Sequence, residues 1–231
     1  MGALALGAVA CNRQRRFREA ETMLLITFGD SILDCGRYNS FGLNPGQLIV
    51  QNDDERFPEF RGKDLSSRGP ARLEHRARDG ATVRGLPWQV EGLRIEDQAV
   101  ALVTVGGNDL LGGLISDNGP GIEAFARVFD DWLRALPIRP VLIGNVYDPT
   151  FGDDRNNFLG VDPALARANL RHINDRIAQL ASHYGSLVDL HAHFLTGDPS
   201  WYTNIIEPSL RGASEVRRAF LAHLLSEAPV D

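Results

Sequence analysis

An α/β domain, with a parallel sheet covered by helices on both faces, is the fold this sequence predicts, and three observations predict it. Short apolar runs of strand length recur at 24–28, 99–105, 140–146 and 186–190. Between them lie segments whose apolar residues repeat with helical spacing, and strands alternating with helices imply a parallel sheet. The chain has 231 residues, of which 43% are hydrophobic and 23% charged, enough for one sizeable core and no more than one domain.

The chain opens with MGALALGAVA, small and apolar throughout. A run of this length is too short to cross a bilayer, which takes about 20 residues. Its basic residues follow it, from Arg13 to Arg18, whereas an export signal carries its charge in front. Ala8 also stands where a lipoprotein cleavage box usually has Leu. Residues 1–22 are expected to be a leader or a poorly ordered extension, with the domain spanning 23–231. A cytoplasmic location follows by default, or an exported one if residues 1–11 act as a leader.

Leu24 to Phe28 reads as the first buried strand, delivering a loop at Gly29. From Arg37 to Arg78 the pattern is weak and rich in charge, Gly and Pro, which predicts long loops around the site and one further strand near 72–78. The strand at 99–105 follows, then a helix over 122–136 with Ile122, Phe125, Ala126, Phe129 and Leu133 on one face. After the strand at 140–146 comes a long helix over 164–184, carrying Leu165, Ala168, Ile173, Ile177 and Leu180. The strand at 186–190 and a last helix over 215–225 complete the series.

Composition excludes some functions. The formal net charge is −6 and no long basic run occurs, which argues against a nucleic-acid partner. Cys11 and Cys35 lie in no metal-ligand spacing such as CxxC, so neither a disulfide nor a zinc site is supported. No cofactor is implied.

Ligands of open α/β sheets bind at the carboxyl ends of the strands. The first strand ends in FGDSILDCGR, which puts Ser31 at that edge, although a Ser after Asp also serves commonly as a helix cap. The strand at 99–105 runs into GGND and brings the Asn108 amide to the same edge, or simply forms a turn. Between them Gly80, in RDGATV, allows backbone N–H groups to approach a ligand closely.

In this order, GDS, an isolated Gly and GGND resemble the first three sequence blocks of the SGNH (GDSL-type) serine esterases. The resemblance covers most of 24–225. It implies a three-layer αβα sandwich with a flavodoxin-like, doubly wound parallel sheet, acting on a small-molecule ester or an acylated carbohydrate. It implies also that Ser31 attacks the carbonyl while the Ser31 amide, the Gly80 amide and the Asn108 side chain form the oxyanion hole. The fourth block of that family holds an Asp and a His, and here the chain has NIIEPSLRG, with Asn204 in the Asp place and Glu207 in the His place.

Three accounts stand open at this point. Glu207 acts as an unusual base, raised in pKa by burial. Or a histidine substitutes, His191 and His193 after the strand at 186–190 or, more distantly, His75. Or the fold and pocket persist as a ligand-binding module without turnover. Acyl transfer to a sugar or alcohol in place of water is a further outcome of the same acyl-enzyme. Asp148, Asp153 and Asp154 cluster at the site edge in a way that suits either a hard cation or a capped polar loop, and no metal is assigned. Trp201 and Tyr202 either border the cleft or pack against the last helix.

Overall fold

The computed structural model describes residues 22–95 and 98–226. The expectations about the leader, and Cys11 with them, lie outside this range. Five strands form one parallel sheet: β1 (Met23–Gly29), β2 (Ala71–His75), β3 (Gln98–Thr104), β4 (Val141–Gly144) and β5 (Ser186–Val188). Their order is β2-β1-β3-β4-β5, the doubly wound, flavodoxin-like arrangement that the resemblance implied.

Seven helices accompany the sheet among the described residues: α1 (Pro45–Val50), α2 (Leu86–Val90), α3 (Gly107–Leu111), α4 (Gly121–Ala135), α5 (Pro163–Tyr184), α6 (Leu190–Leu195) and α7 (Leu210–Ser226). Two short antiparallel strands, β6 (Tyr202–Thr203) and β7 (Glu207–Pro208), lie apart from the sheet.

Alternation along β1 shows why its apolar run is continuous. Leu24, Ile26 and Phe28 enter the core beneath α4 and α5, while Leu25 enters the opposite core beneath α1, α6 and α7. Both faces being buried, every second residue on either side must be apolar. The result is three layers, helix, sheet and helix.

Several boundaries differ from the sequence pattern, each for a local reason. β4 ends at Gly144 because the Val146 N–H and C=O are both taken by the Asn174 side chain, at 2.9 and 2.8 Å. β5 stops at Val188 because Asp189 turns to cap α6, accepting from the Ala192 N–H at 3.0 Å. α7 begins at Leu210, earlier than the apolar repeat, because Ser209 accepts at both its carbonyl, from Ala213 N–H, and its hydroxyl, from Gly212 N–H.

The weakly patterned stretch 37–78 is also more ordered in its packing than expected. It contains α1, whose first turn carries a reciprocal capping box between Asn44 and Gln47. Leu48 and Ile49 of α1 pack in the core with Val216 and Phe220 of α7. Arg217, fully buried on α7, lies with its guanidinium 3.6 Å from the Phe60 ring centroid and 4.6 Å from that of Phe57. Its Nη1 donates to Asn52 Oδ1 at 2.6 Å. Much of this stretch therefore covers a sheet face; Tyr38 lies within reach of the Glu207 charge, and Arg76 and Arg78 line a surface cleft.

At the carboxyl ends of β1 and β3, Gly29 pairs with Thr104. Gly29 has φ +116°, and a Cβ there would sit 1.7 Å from the Thr104 carbonyl oxygen. Its backbone N–H and C=O are both bonded by the buried Gln89 amide, at 2.7 and 2.8 Å. Gly29→Ala is accordingly expected to lower unfolding free energy by about 4 kcal/mol, the upper end for a single substitution, or to prevent folding. Chemical denaturation of the variant beside the parent chain checks this.

Candidate active site

Ser31 occupies the turn after β1 and is 8% exposed. Its neighbour Asp30 turns inward, accepting from the Thr104 hydroxyl at 2.8 Å and from the Ile32 N–H at 3.2 Å, both on Oδ1. This anchors the turn to the end of β3. The Ser31 N–H itself finds no acceptor among the described residues.

GGND follows β3 and starts α3. The Asn108 amide donates to the Ala81 carbonyl at 3.0 Å, and the Asp109 carboxylate accepts from the Val83 N–H at 3.1 and 3.3 Å. These two side chains clamp the loop that carries Gly80 against the start of α3. Gly80 adopts φ +77°, a left-handed conformation that a residue with a Cβ rarely tolerates. Its N–H, like that of Ser31, has no acceptor among the described residues. One hydrogen of the Asn108 amide remains after the bond to Ala81.

Glu207 arrives from the opposite direction, on the β6–β7 hairpin. The turn between these strands holds Asn204 at φ +46° and Ile205 at φ +75°. Left-handed backbone costs a β-branched residue about 1–2 kcal/mol. The turn is held down by the Tyr147 hydroxyl, which donates to the Ile206 carbonyl at 2.6 Å. Glu207 follows directly, and its carboxyl interacts with the Ser31 hydroxyl. Its Oε2 is buried without a hydrogen-bond partner among the described residues.

Three carboxyls at this edge are held above their ordinary range. Burial pushes Asp30 up to about 7, against the opposing bonds from Thr104 and Ile32 and with help from the negative charges of Asp109 and Glu207. Burial likewise pushes Asp109 up to about 6, while its bond from Val83 and the charge of Arg84 pull the other way. Glu207 is raised by burial and by the charge of Asp79, and is lowered by its bond with Ser31.

The three candidate histidines are engaged elsewhere. His75 bridges Thr27 Oγ1 at 2.7 Å and Asp34 Oδ1 at 3.0 Å. His191 lies 3.3 Å from the Val146 carbonyl, and His193 pairs with Glu215 at 3.0 Å. Asn204 is exposed on the hairpin turn. Trp201 and Tyr202 pack in the core with Phe194, so of the two readings of these rings it is packing that the structure displays. Asp153 and Asp154 are taken up by Arg155 and Arg167, while Asp148 accepts from Thr150 and Gly152 and pairs with Arg167. Among the described residues no cluster of His, Cys, Asp or Glu is arranged to hold a metal ion, and no helix is long and apolar enough to cross a membrane.

A cleft opens at Ser31 and Asn108 with a mainly apolar lining, including Ile32, Leu110, Ile115, Val146 and Leu170. Its outer wall is the segment 148–163, where Phe158 and Leu159 are part-exposed. Arg167 of α5 holds that wall by reaching Asp148 at 3.3 Å and Asp154 at 2.6 Å. Asp30, Asp109 and the apolar part of this wall are the features that sequence reasoning passed over, while the acids of the wall were already placed at the site edge. Asp109 stood in the GGND motif itself, and the FLGV run of the wall was a usable apolar signal.

Fold and site together define a doubly wound α/β protein with a serine, an asparagine and a carboxyl gathered at the carboxyl edge of the sheet. The family model described as GDSL-like lipase/acylhydrolase matches residues 27–213, and the chain belongs to this hydrolase family. No curated protein matches the sequence. Among solved structures, LAE5, an α/β hydrolase enzyme from the metagenome of Lake Arreo, is 24% identical, over 89% of this chain and 95% of that one, with a TM-score of 0.59. Axe2, an acetylxylan esterase from Geobacillus stearothermophilus, is 21% identical over 89% and 94%, with a TM-score of 0.59. A GDSL-like lipase from Parabacteroides merdae is 16% identical over 87% and 94%, with a TM-score of 0.62. At these identities the likeness is one of fold.

The raised carboxyl of Asp30 has a consequence for stability. Between its unfolded value of 3.8 and its folded value of about 7, the folded chain holds a proton that the unfolded chain has lost. Stability from this group is complete below the lower value and is lost as pH rises through the upper one, with a slope of up to about 1.4 kcal/mol per pH unit. Asp30→Asn is expected to remove that part of the decline, which urea titrations at a series of pH values between about 4 and 8 measure directly. An unaltered profile would mean that Asp30 is ionised in the folded protein.

Proposed function

We propose that the chain hydrolyses a carboxylic ester, as an SGNH-type serine esterase, with Ser31 as nucleophile and Glu207 as its proton acceptor. The observation that carries this reading is a desolvated Glu207 carboxyl near enough to the Ser31 hydroxyl to be stabilised by it, beside an apolar cleft. A carboxylate is ordinarily a weak base toward an alcohol, and burial makes Glu207 a stronger one.

In the first half-reaction Glu207 takes the Ser31 proton as Oγ bonds to the ester carbonyl carbon. The oxygen that becomes negative is met by the Ser31 N–H, the Gly80 N–H and the remaining Asn108 amide hydrogen, each such donor contributing roughly 3 kcal/mol. Collapse breaks the bond to the alcohol oxygen, which leaves with the proton from Glu207. In the second half-reaction water gives a proton to Glu207 and attacks the acyl carbon, and collapse returns that proton to Ser31 Oγ. The acid is released. Apolar side chains beyond Ser31 suit the hydrocarbon of a small acyl group, and the esters named for the structural relatives fall in this substrate class.

One feature favours a second reading, a ligand-binding module without turnover. Among the described residues no third group is bonded to Oε2 of Glu207 to orient it, as a triad would require.

A fluorophosphonate ester probe separates the two. Labelling is expected at Ser31, absent in Ser31→Ala and slowed by about 10² to 10⁴ in Glu207→Gln. No labelling of the folded chain at any pH would leave the binding module. An esterase rate unchanged in Ser31→Ala would sink the nucleophile assignment, and a labelling rate unchanged in Glu207→Gln would move the search for the base to His191, His193 and His75. Because burial holds Glu207 above 4.5, kcat/KM is expected to rise with pH through an ionisation above that value, and Glu207→Gln to abolish the rise.

A further inference from the structure

A second cleft lies on the far side of the Gly80 loop, lined by Arg76, Arg78, Arg84 and Trp88 together with Gly80 and Ala81. It adjoins the apolar cleft at one point, the hydrogen bond from the Asn108 amide to the Ala81 carbonyl. We propose that this second cleft binds an anionic group, phosphate or carboxylate, carried on the alcohol part of the ester. The proposal rests on Ser31 being the nucleophile. In this reading an ester whose acyl chain enters the apolar cleft carries its alcohol part at the Gly80 rim, which the two clefts share through the Asn108–Ala81 bond.

Charge carries the argument furthest. The chain has 30 acidic residues against 24 basic ones, and many of its arginines are tied to carboxylates, among them Arg56 to Asp53, Arg155 to Asp153 and Arg167 to Asp148. In the second cleft Arg76 is taken up in the same way, by Glu74 and the Glu91 carbonyl. Arg78 and Arg84 are different. Both are exposed, and among the described residues neither forms an ion pair, Arg78 donating only to the Ala77 carbonyl. The one acid on this rim, Asp79, is already bonded by Arg37 and by the Tyr38 hydroxyl. Two guanidinium groups in a net acidic chain thus line one cleft outside any ion pair, Arg84 acting on the Asp109 carboxylate only through its charge, and the planar fork of Arg matches phosphate and carboxylate oxygens.

Trp88 is a second, independent pointer. It is 73% exposed, whereas Trp132 and Trp201 are 6% and 7% exposed. Its indole offers a flat apolar face, within the same cleft, to the carbon frame between ester and anion.

The test uses the full chain and three butyrate esters that differ only in the alcohol part: glycerol, glycerate and glycerol phosphate. Butyrate release is followed by titration at constant pH. The expected result is a kcat/KM about tenfold higher for an anionic ester than for the neutral one, the better of the two anions naming the group. Arg78→Gln combined with Arg84→Gln should bring that ratio to near one, and salt at about 0.5 M should narrow it in the parent chain. A ratio of one in the parent chain, or a ratio that survives the double substitution, overturns the proposal while leaving the esterase reading in place. If the parent chain cleaves none of the three, the esterase reading fails, and a fluorescence titration with glycerol phosphate then decides the subsite. Quenching of the exposed Trp88 that disappears in the double variant supports it, and no quenching overturns it.

Discussion

The structure depends on the close contact of β1 with β3 at Gly29 and Thr104. No side chain fits between these strand ends, so the two loops that follow leave the sheet side by side. Asp30 then bonds to Thr104 in both directions, through its N–H to the carbonyl and its carboxyl to the hydroxyl, and this aims Ser31 outward. Gln89 satisfies the backbone of Gly29 from beneath. Three loops with no sequence neighbourhood are assembled in this way, since Asn108 and Asp109 in turn fasten the Gly80 loop. A displacement at Gly29 would be felt in all of them.

Against that rigid edge, the β6–β7 hairpin places the half-buried carboxyl of Glu207. Burying Glu207 among other acids is costly, and the cost appears as raised affinity for a proton at Asp30, Asp109 and Glu207. The strained Ile205 and the bond from Tyr147 to Ile206 indicate that the hairpin is held in place by its surroundings and not by its own preferences. In the proposed chemistry, the same burial that destabilises the charged carboxylate makes it the stronger base.

Much of this was legible in the chain itself. Apolar runs located four of the five sheet strands, because a strand buried on both faces has no choice of residue; β2, the edge strand ARLEH, stood only as a further strand in the charged stretch, and helical periodicity located α4 and α5. GDS, Gly80 and GGND were readable because each reflects a local backbone demand at a strand end. What escaped was α1, whose six residues are too few for a periodic pattern, and the early start of α7, where Gly212 and Ser214 interrupt the apolar repeat. No sequence signal marked Arg217, which is fully buried with its guanidinium against the Phe57 and Phe60 rings.

The sequence by itself determined the α/β class, the strand positions and the three motifs at the sheet edge, since period and turn chemistry are properties of neighbouring residues. Only the tertiary structure decided that the β6–β7 hairpin brings Glu207 near Ser31, that His75, His191 and His193 are bonded elsewhere, and that Arg78 and Arg84 share a cleft with Trp88. Those relations join residues far apart in the chain. They are set by how helices and loops close over the two faces of the sheet, and no local preference of the backbone encodes them.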